Sequence, residues 1–515
     1  MNGAELLVKS AMTLGVDTCF ANPGTTELPV VMALDATPGF RAILGLFEGV
    51  CTGAADGYGR MLDRPAMTLL HLGPGLANGI ANLHNARRGQ SSVLNVIGEH
   101  ATWHRDADPP LAMDIESLAR TVSGWWRTCR SAGDISGDIS EAIGAAQLGQ
   151  VATLIVPNDY QLAEVKDCPV KKTGIPFDPI EPGSIDAVAV RLRRFRKVAL
   201  LLGGRGLRRA GLEAAARIKG AVGCSLLAPT LPGYMESGSG FPPVARVPYF
   251  PEQASAALSG YEAVLLAGAP EPVTFFGYPG VRSRILSDEQ EKIRLCTDRQ
   301  NVIEALNLLA DALSAPTRLK PDLFESGRRP TLSSGELTAE KACIALAAVQ
   351  PENAIIVDEA VTTRYSYLSH SPGLPPHTIL PISGGSIGYG IPCATGAAIA
   401  CPDRPVIDFQ ADGSALYTVQ GLWTQAREGL KVTTLICSNR SYRILQMEIQ
   451  RAGVTSSGPN AERLTELKDP AIDWVRIARG FGVAAVTVST AEDLARELGR
   501  ALAEPGPHLI EMLLP

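Results

Sequence analysis

Apolar runs of strand length recur along the chain: Ala66 to Leu70, Ser92 to Ile97, Thr153 to Val156, Val198 to Leu202, Ala263 to Ala267, Ala354 to Val357, Val406 to Phe409 and Thr433 to Cys437. Stretches with helical periodicity separate them. Strands buried on both faces read as continuous apolar runs, so the alternation predicts an α/β protein with parallel sheets covered by helices. The spacing of Ala4, Leu6, Leu7 and Ala11 predicts an amphipathic N-terminal helix. No apolar run approaches the ~18 residues of a membrane span, and the N-terminus lacks the charged and apolar regions of a secretion signal.

Two stretches rich in Pro, Gly and charge break the rhythm, Cys168 to Gly183 and Leu313 to Gly335, and read as linkers. They divide the chain into units of about 1–170, 183–315 and 335–515. A length of 515 residues agrees with this count at ~150 residues per domain.

Apolar residues are 45% and charged residues 19% of the chain, the balance of a globular protein. A net charge of -6 provides no basic field for nucleic acid or anionic lipid. The run Arg191, Arg193, Arg194, Arg196, Lys197 is interrupted by Leu192 and Phe195 and reads as a solvated helix face. Ten cysteines without a CxxC pair, several within apolar stretches, suggest reduced core thiols and a cytoplasmic protein.

The candidate chemistry lies at strand ends. Val406 to Phe409 runs into Gln410-Ala411-Asp412-Gly413-Ser414, and Thr433 to Cys437 runs into Ser438-Asn439-Arg440-Ser441-Tyr442. Asp412 and Asn439 are 27 positions apart, room for one helix, about Leu416 to Glu428, between parallel strands. Both residues then emerge at the carboxyl edge of one sheet. A carboxylate, an amide oxygen and the Ser441 carbonyl are hard donors suited to Mg²⁺, with diphosphate oxygens completing the shell. Gly413 and Ser414 open a helix whose free amides suit phosphate.

An Asp-Gly-Ser after one strand with an Asn 27 residues later resembles the signature of thiamine-diphosphate (ThDP) enzymes of the 2-oxo acid decarboxylase and acetolactate synthase family. Ala411 and Ser438 stand where that family usually has Gly and Asn. The resemblance implies a pyrimidine-binding domain at 1–170, a middle domain at 183–315 and a diphosphate-binding domain at 335–515. It implies that Gly385 and Ile387, in the loop Ser383 to Pro392, supply a carbonyl to the pyrimidine and an apolar prop that bends the cofactor. By the same likeness Glu359, Val361, Thr362, Tyr442, Arg443 and Ile444 join the cofactor-binding set.

Glu48 follows the expected strand Arg41 to Phe47 and leads the small-residue stretch Gly49 to Arg60. Among such neighbours a carboxyl is expected to have a raised pKa. The resemblance makes it the glutamate that exchanges a proton with the pyrimidine, so that the thiazolium carbon can be deprotonated. In the family that glutamate and the diphosphate site come from different subunits, implying active sites across a dimer interface and a dimer of dimers.

The segment Asn22-Pro23-Gly24-Thr25-Thr26-Glu27-Leu28, with Glu48 and His71, is most similar to benzoylformate decarboxylase-like members. Thr25 then binds the substrate carboxylate and His71 transfers protons. Pro270 to Pro279 lacks the second histidine of those enzymes; Phe275 and Phe276 are candidates to wall the substrate pocket, together with Leu445. His100 and His104, after Ser92 to Ile97, are candidates for the missing proton-transfer group; their spacing without a third ligand argues against zinc. Gly203-Gly204-Arg205-Gly206 could hold FAD, as in acetolactate synthases, but a strand-to-helix corner explains it better. The expected activity is a ThDP- and Mg²⁺-dependent decarboxylase or carboligase acting on a 2-oxo acid. The alternatives are an acetolactate-synthase-like carboligase, a catalytically silent ThDP-binding paralogue, or a Rossmann oxidoreductase built on Gly203 to Gly206.

Overall fold

The computed structural model describes residues 1–167, 170, 174–318, 324, 327–454 and 458–515. Both expected linkers include positions outside that set, at 168–169 and 171–173 in the first and at 319–323 and 325–326 in the second. The described residues form two compact units: Met1–Pro176, Pro330–Ser369 and Gly384–Pro515 in the first, Phe177–Arg329 and His370–Ser383 in the second.

The first unit opens with the helix Gly3–Thr13, whose cap is the reciprocal pair of Asn2 and Glu5. Its first sheet comprises β1 (Thr18–Asn22), β2 (Arg41–Leu44), β3 (Ala66–His71), β4 (Val93–Glu99), β5 (Trp125–Thr128) and β6 (Val151–Pro157). The order is β2-β1-β3-β4-β6-β5, with every pair parallel. Strands β4 and β6 are buried along their whole lengths, which is why their sequence is mostly apolar; the polar Asn95 and Thr153 within them bond each other at 3.0 Å.

The second unit contains β7 (Val198–Leu202), β8 (Ser225–Ala228), β9 (Met235–Ser237), β10 (Ala245–Arg246), β11 (Ala263–Ala267) and β12 (Glu291–Arg294). A parallel sheet takes the order β10-β8-β7-β11-β12. The glycines after β7 answer to packing: a Cβ on Gly203 would lie 2.5 Å from the Gly268 carbonyl, and Gly204 has φ +50°.

The first unit resumes with β13 (Ile355–Glu359). After β14 (His377–Pro381), which pairs antiparallel with β9 in the second unit, come β15 (Val406–Ala411), β16 (Val432–Ser438), β17 (Ala484–Val488) and β18 (His508–Leu513). In the first unit the strands run in the order β17-β18-β16-β15-β13, all parallel. Its two sheets are joined by the helices Glu48–Leu62 and Gly390–Ala400. Their approach is so close that a Cβ on Gly57 would sit 2.1 Å from the Cys393 carbonyl, and one on Gly396 would sit 1.8 Å from that of Ala54. Across this seam the buried Arg60–Asp56 pair lies beneath the Tyr389 ring.

Two expectations need correction. Strand β2 stops at Leu44 rather than Phe47, because Gly45 turns the chain so tightly that a Cβ there would lie 2.6 Å from Cys51 Sγ. The single helix expected over Leu416 to Glu428 is broken into turns at Asp412–Ala415 and Leu416–Thr418 and a helix at Gly421–Arg427. Thr418 Oγ1 donates to the Gly388 carbonyl at 3.0 Å, drawing that segment toward the neighbouring loop.

Candidate active site

Three adjacent strands, β13, β15 and β16, end beside one another, and a cleft of about 370 Å³ opens beyond their carboxyl ends. Its lining includes Val361, Thr362, Gly385, Ile387, Asp412, Gly413, Ser414, Asn439, Ser441, Tyr442, Arg443, Ile444 and Leu445. The two loops read from sequence do meet, since Arg440 N donates to Asp412 Oδ2 at 2.7 Å. Asp412 Oδ1 accepts from Gly413 N at 2.8 Å. Burial pushes the Asp412 carboxyl up to about 6, with these amide bonds opposing the rise. Asn439 Oδ1 accepts from Ser441 N at 3.0 Å, a turn made with Arg440 at φ +54°. The loop is held from below: Tyr442 N donates to Thr465 O and Leu467 N to Arg440 O, both at 2.8 Å. Gly413 has no room for a side chain, because the Tyr442 ring lies 2.5 Å from where its Cβ would stand.

Across the cleft, the loop carrying Gly385 and Ile387 is set by glycines in left-handed conformation, Gly385 at φ +73° and Gly388 at φ +92°. Glu359 does not line the cleft. It lies fully buried behind that loop and accepts from Gly388 N (2.8 Å), Tyr389 N (3.0 Å), Gly390 N (2.6 Å) and Gln410 Nε2 (2.9 Å). Through these bonds its carboxylate holds the backbone of the loop. Beside it the buried Asp408 carboxyl is raised well above its usual range by desolvation and by the Glu359 charge. Val361 has φ +48°, unusual for a β-branched residue and the kind of strain found at ligand sites.

The remaining candidates gather at the carboxyl edge of the N-terminal sheet. Glu48 is the first residue of its helix, yet it makes no cap bond; half-buried, it accepts from Asn78 Nδ2 at 3.0 Å. His71 ends β3, where the sharp turn at Leu72 (φ +54°) starts the next helix. Between the two stands Gly75, whose Cβ would lie 3.3 Å from Glu48 Oε1 and 3.5 Å from His71 Cβ. The residue missed from sequence is Glu27: fully buried, it meets His71 Nδ1 at 2.7 Å and accepts from Gly24 N at 2.9 Å and Thr26 Oγ1 at 2.5 Å. Gly98 at the end of β4 makes the space, since a Cβ there would overlap Glu27 Oε1. Thr25 is exposed beside this cluster.

His100 and His104 follow β4, whose Gly98 pairs with His71, and their rings meet edge to face at 5.7 Å. Among the described residues no group of three or more His, Cys, Asp or Glu gathers as a metal site. A cation site formed by one carboxylate, one amide oxygen and a backbone carbonyl falls outside that kind of cluster, and the donors present at the cleft fit Mg²⁺ on a diphosphate. Phe275 and Phe276 belong to the second unit, where both are exposed, Phe275 packing on Tyr249 and meeting the Phe276 ring edge to face.

Parallel strands ending in a cleft of hard oxygen donors and glycine-permitted backbone define an α/β protein whose cleft fits an anionic ligand. The chain belongs to the thiamine pyrophosphate enzymes: their N-terminal TPP binding domain matches residues 1–118 and their C-terminal TPP binding domain residues 362–512. It is 46% identical over 518 residues, covering 100% of this chain and 99% of the relative, to a Mycobacterium tuberculosis protein bearing the name acetolactate synthase large subunit IlvX. It is 29% identical to the benzoylformate decarboxylase of Pseudomonas aeruginosa, over 97% of this chain and 96% of that one. In fold it is similar to the ThDP-dependent 4-hydroxybenzoylformate decarboxylase of Rhodococcus jostii, with a TM-score of 0.85 at 24% identity, covering 100% and 99% of the two chains.

Proposed function

We propose that this enzyme is a ThDP- and Mg²⁺-dependent decarboxylase or carboligase acting on a 2-oxo acid. The observation that carries the proposal is the Arg440 to Asp412 hydrogen bond, which joins the two loops of the diphosphate signature in one cleft. Asp412, Asn439 and the Ser441 carbonyl would hold Mg²⁺, and the backbone around Gly413 and Ser414 would receive the diphosphate. Val361, Thr362, Gly385, Ile387, Tyr442, Arg443 and Ile444 would surround the rest of the cofactor.

When bound, ThDP supplies an acidic ring carbon that adds to a carbonyl and accepts its electrons on loss of CO₂. Glu48 holds a proton at its carboxyl oxygen for exchange with the pyrimidine nitrogen. His71, fixed through Nδ1 by Glu27, presents Nε2 to donate or accept a proton at the substrate. Thr25 binds the substrate carboxylate, Ile444 and Leu445 favour an apolar substituent, and His100 and His104 are reserve proton carriers.

Glu48 and the cleft are assigned to different subunits of a dimer, and two dimers to a tetramer. Large apolar side chains left exposed beside both half-sites support this: Trp103 at 78% and Leu28 at 52%, Leu464 at 77% and Tyr417 at 55%. The stretches 1–170, 183–315 and 335–515 are taken as pyrimidine-binding, middle and diphosphate-binding domains. A cytoplasmic location is inferred from the buried, unpaired cysteines. No described helix is long and apolar enough to cross a membrane.

The test is Glu48→Gln, expected to keep ThDP binding and lower turnover by at least ~100-fold. It requires a screen for CO₂ release and acyloin formation from aliphatic, aromatic and acidic 2-oxo acids. Undiminished turnover would reject the role of Glu48. The relative named as an acetolactate synthase favours a second reading, carboligation between two 2-oxo acids, which the acyloin arm of the screen detects.

A further inference from the structure

Two asparagines on the buried face of the helix Leu72–Arg88 spend their amides on the backbone of distant segments. Asn82, 2% exposed, donates through Nδ2 to Gly49 O at 2.9 Å and to Gly388 O at 3.1 Å. Asn85, fully buried, donates to Ser386 O at 2.7 Å and to Asn82 Oδ1 at 2.9 Å, and accepts from Ser386 N at 3.2 Å. One helix turn earlier, Asn78 reaches the Glu48 carboxylate itself at 3.0 Å.

The carbonyls chosen are the informative part. Gly49 directly follows Glu48, so its carbonyl belongs to the helical turn that aims the glutamate. Ser386 and Gly388 flank Ile387, so their carbonyls fix the loop on which the cofactor would be bent. A buried amide that reaches two backbone segments at once transmits a displacement of either to the other, because each unmade bond leaves a buried polar group without water. An apolar side chain of similar size would fill the space without that linkage.

We propose that Asn82, supported by Asn85, is a positioning residue that ties the aim of Glu48 to the shape of the Gly385 to Gly388 loop. This rests on the reading above that Glu48 serves the partner's cleft while the loop serves the chain's own. On that reading the two arms of Asn82 act on different active sites, and the asparagine links the two sites of a dimer.

Differentially tagged heterodimers separate the arms. The readout is exchange of the thiazolium C2 proton of added ThDP into D₂O with Mg²⁺, followed by NMR against ThDP concentration. It needs no substrate: its plateau reports Glu48 and its half-saturation reports the cleft. The reference pairs a wild-type chain with a Glu48→Gln chain and contains one competent site. With Asn82→Leu added to the chain bearing Glu48, the plateau should fall on the order of tenfold at unchanged half-saturation. With Asn82→Leu added to the Glu48→Gln chain, half-saturation should rise on the order of tenfold.

Either heterodimer matching the reference in both readings overturns the linkage. A uniform fall of both readings in both heterodimers, with a lower melting temperature, also overturns it, by showing a packing role. Should Asn82→Leu chains fail to assemble, Asn82→Ser puts the same question with less bulk. Wild-type exchange in the Glu48→Gln homodimer would instead sink the underlying assignment of Glu48. Both effects appearing together when Asn82→Leu shares a chain with Glu48, and neither in the other arrangement, would show that each chain serves its own cleft.

Discussion

Replacing Asp412 with asparagine separates what the cleft needs for a cation from what the empty fold tolerates. Burial lifts the carboxyl to about 6 against 3.8 for an ordinary aspartate. A difference of about 2 in pKa is worth about 3 kcal/mol. The folded chain therefore keeps this proton over a range in which the unfolded chain has lost it. Stability from this group falls as pH rises from about 4 to about 6 and stays low above that. Asparagine removes the ionisation, but turns an amide toward the Gly413 or Arg440 N–H, giving back about 1 kcal/mol.

The apo Asp412→Asn variant should accordingly be more stable than wild type at pH 8, by about 2 kcal/mol. The advantage should shrink to about 0.5 kcal/mol at pH 5. Thermal unfolding of the apo proteins at both pH values measures this. Repeating it with saturating ThDP and Mg²⁺ adds the functional half: wild type gains about 3 kcal/mol at a hundredfold excess over Kd, while the variant gains little. A variant less stable than wild type by the same margin at both pH values, or one that keeps the ligand-induced gain, refutes the reasoning.

Gly388→Ala should weaken ThDP binding by at least ~10-fold in a fluorescence-quenching titration, because φ +92° disfavours any side chain and the new Cβ would lie 2.6 Å from Tyr417 Cβ. Glu27→Gln should lower turnover by about 10- to 100-fold without changing ThDP affinity, since it weakens the 2.7 Å contact that orients His71; unchanged kinetics would remove Glu27 from the site. Chelation with EDTA should abolish ThDP uptake, and Mg²⁺ but not Na⁺ should restore it, as measured by equilibrium dialysis.

The loops of Asp412 and Asn439 were readable because each hard donor closely follows the end of a strand, Asp412 with a glycine directly after it, so local sequence marks both positions. The anchor of the second loop was not readable: Thr465 and Leu467, which hold Tyr442 and Arg440, reach them only through the tertiary fold. Glu27 was hidden for a related reason. In Thr25-Thr26-Glu27 it looks like an acid in the first turn of a helix, and only the fold brings Gly98 and His71 against it. The bonds of Glu359 to the amides of Gly388, Tyr389 and Gly390 were not readable either, since sequence cannot distinguish a carboxylate that faces the cleft from one that holds the loop behind it.

Glu48 shows the sharper limit. Its neighbours Gly49 to Arg60 are mostly small or apolar because the helix packs against Gly390–Ala400, as Gly57 on Cys393 and Gly396 on Ala54 demonstrate. The composition that suggested a dry pocket around the carboxyl is thus explained by the opposite face of the same helix. In one chain Glu48 is half-buried against Asn78, and the cleft it would serve is walled by residues between Ala360 and Leu464. The proposed role of this carboxyl therefore calls for a surface that a single chain does not supply. On the proposed reading that surface is a second subunit, so a chain held monomeric should bind the diphosphate end of the cofactor yet fail to activate it.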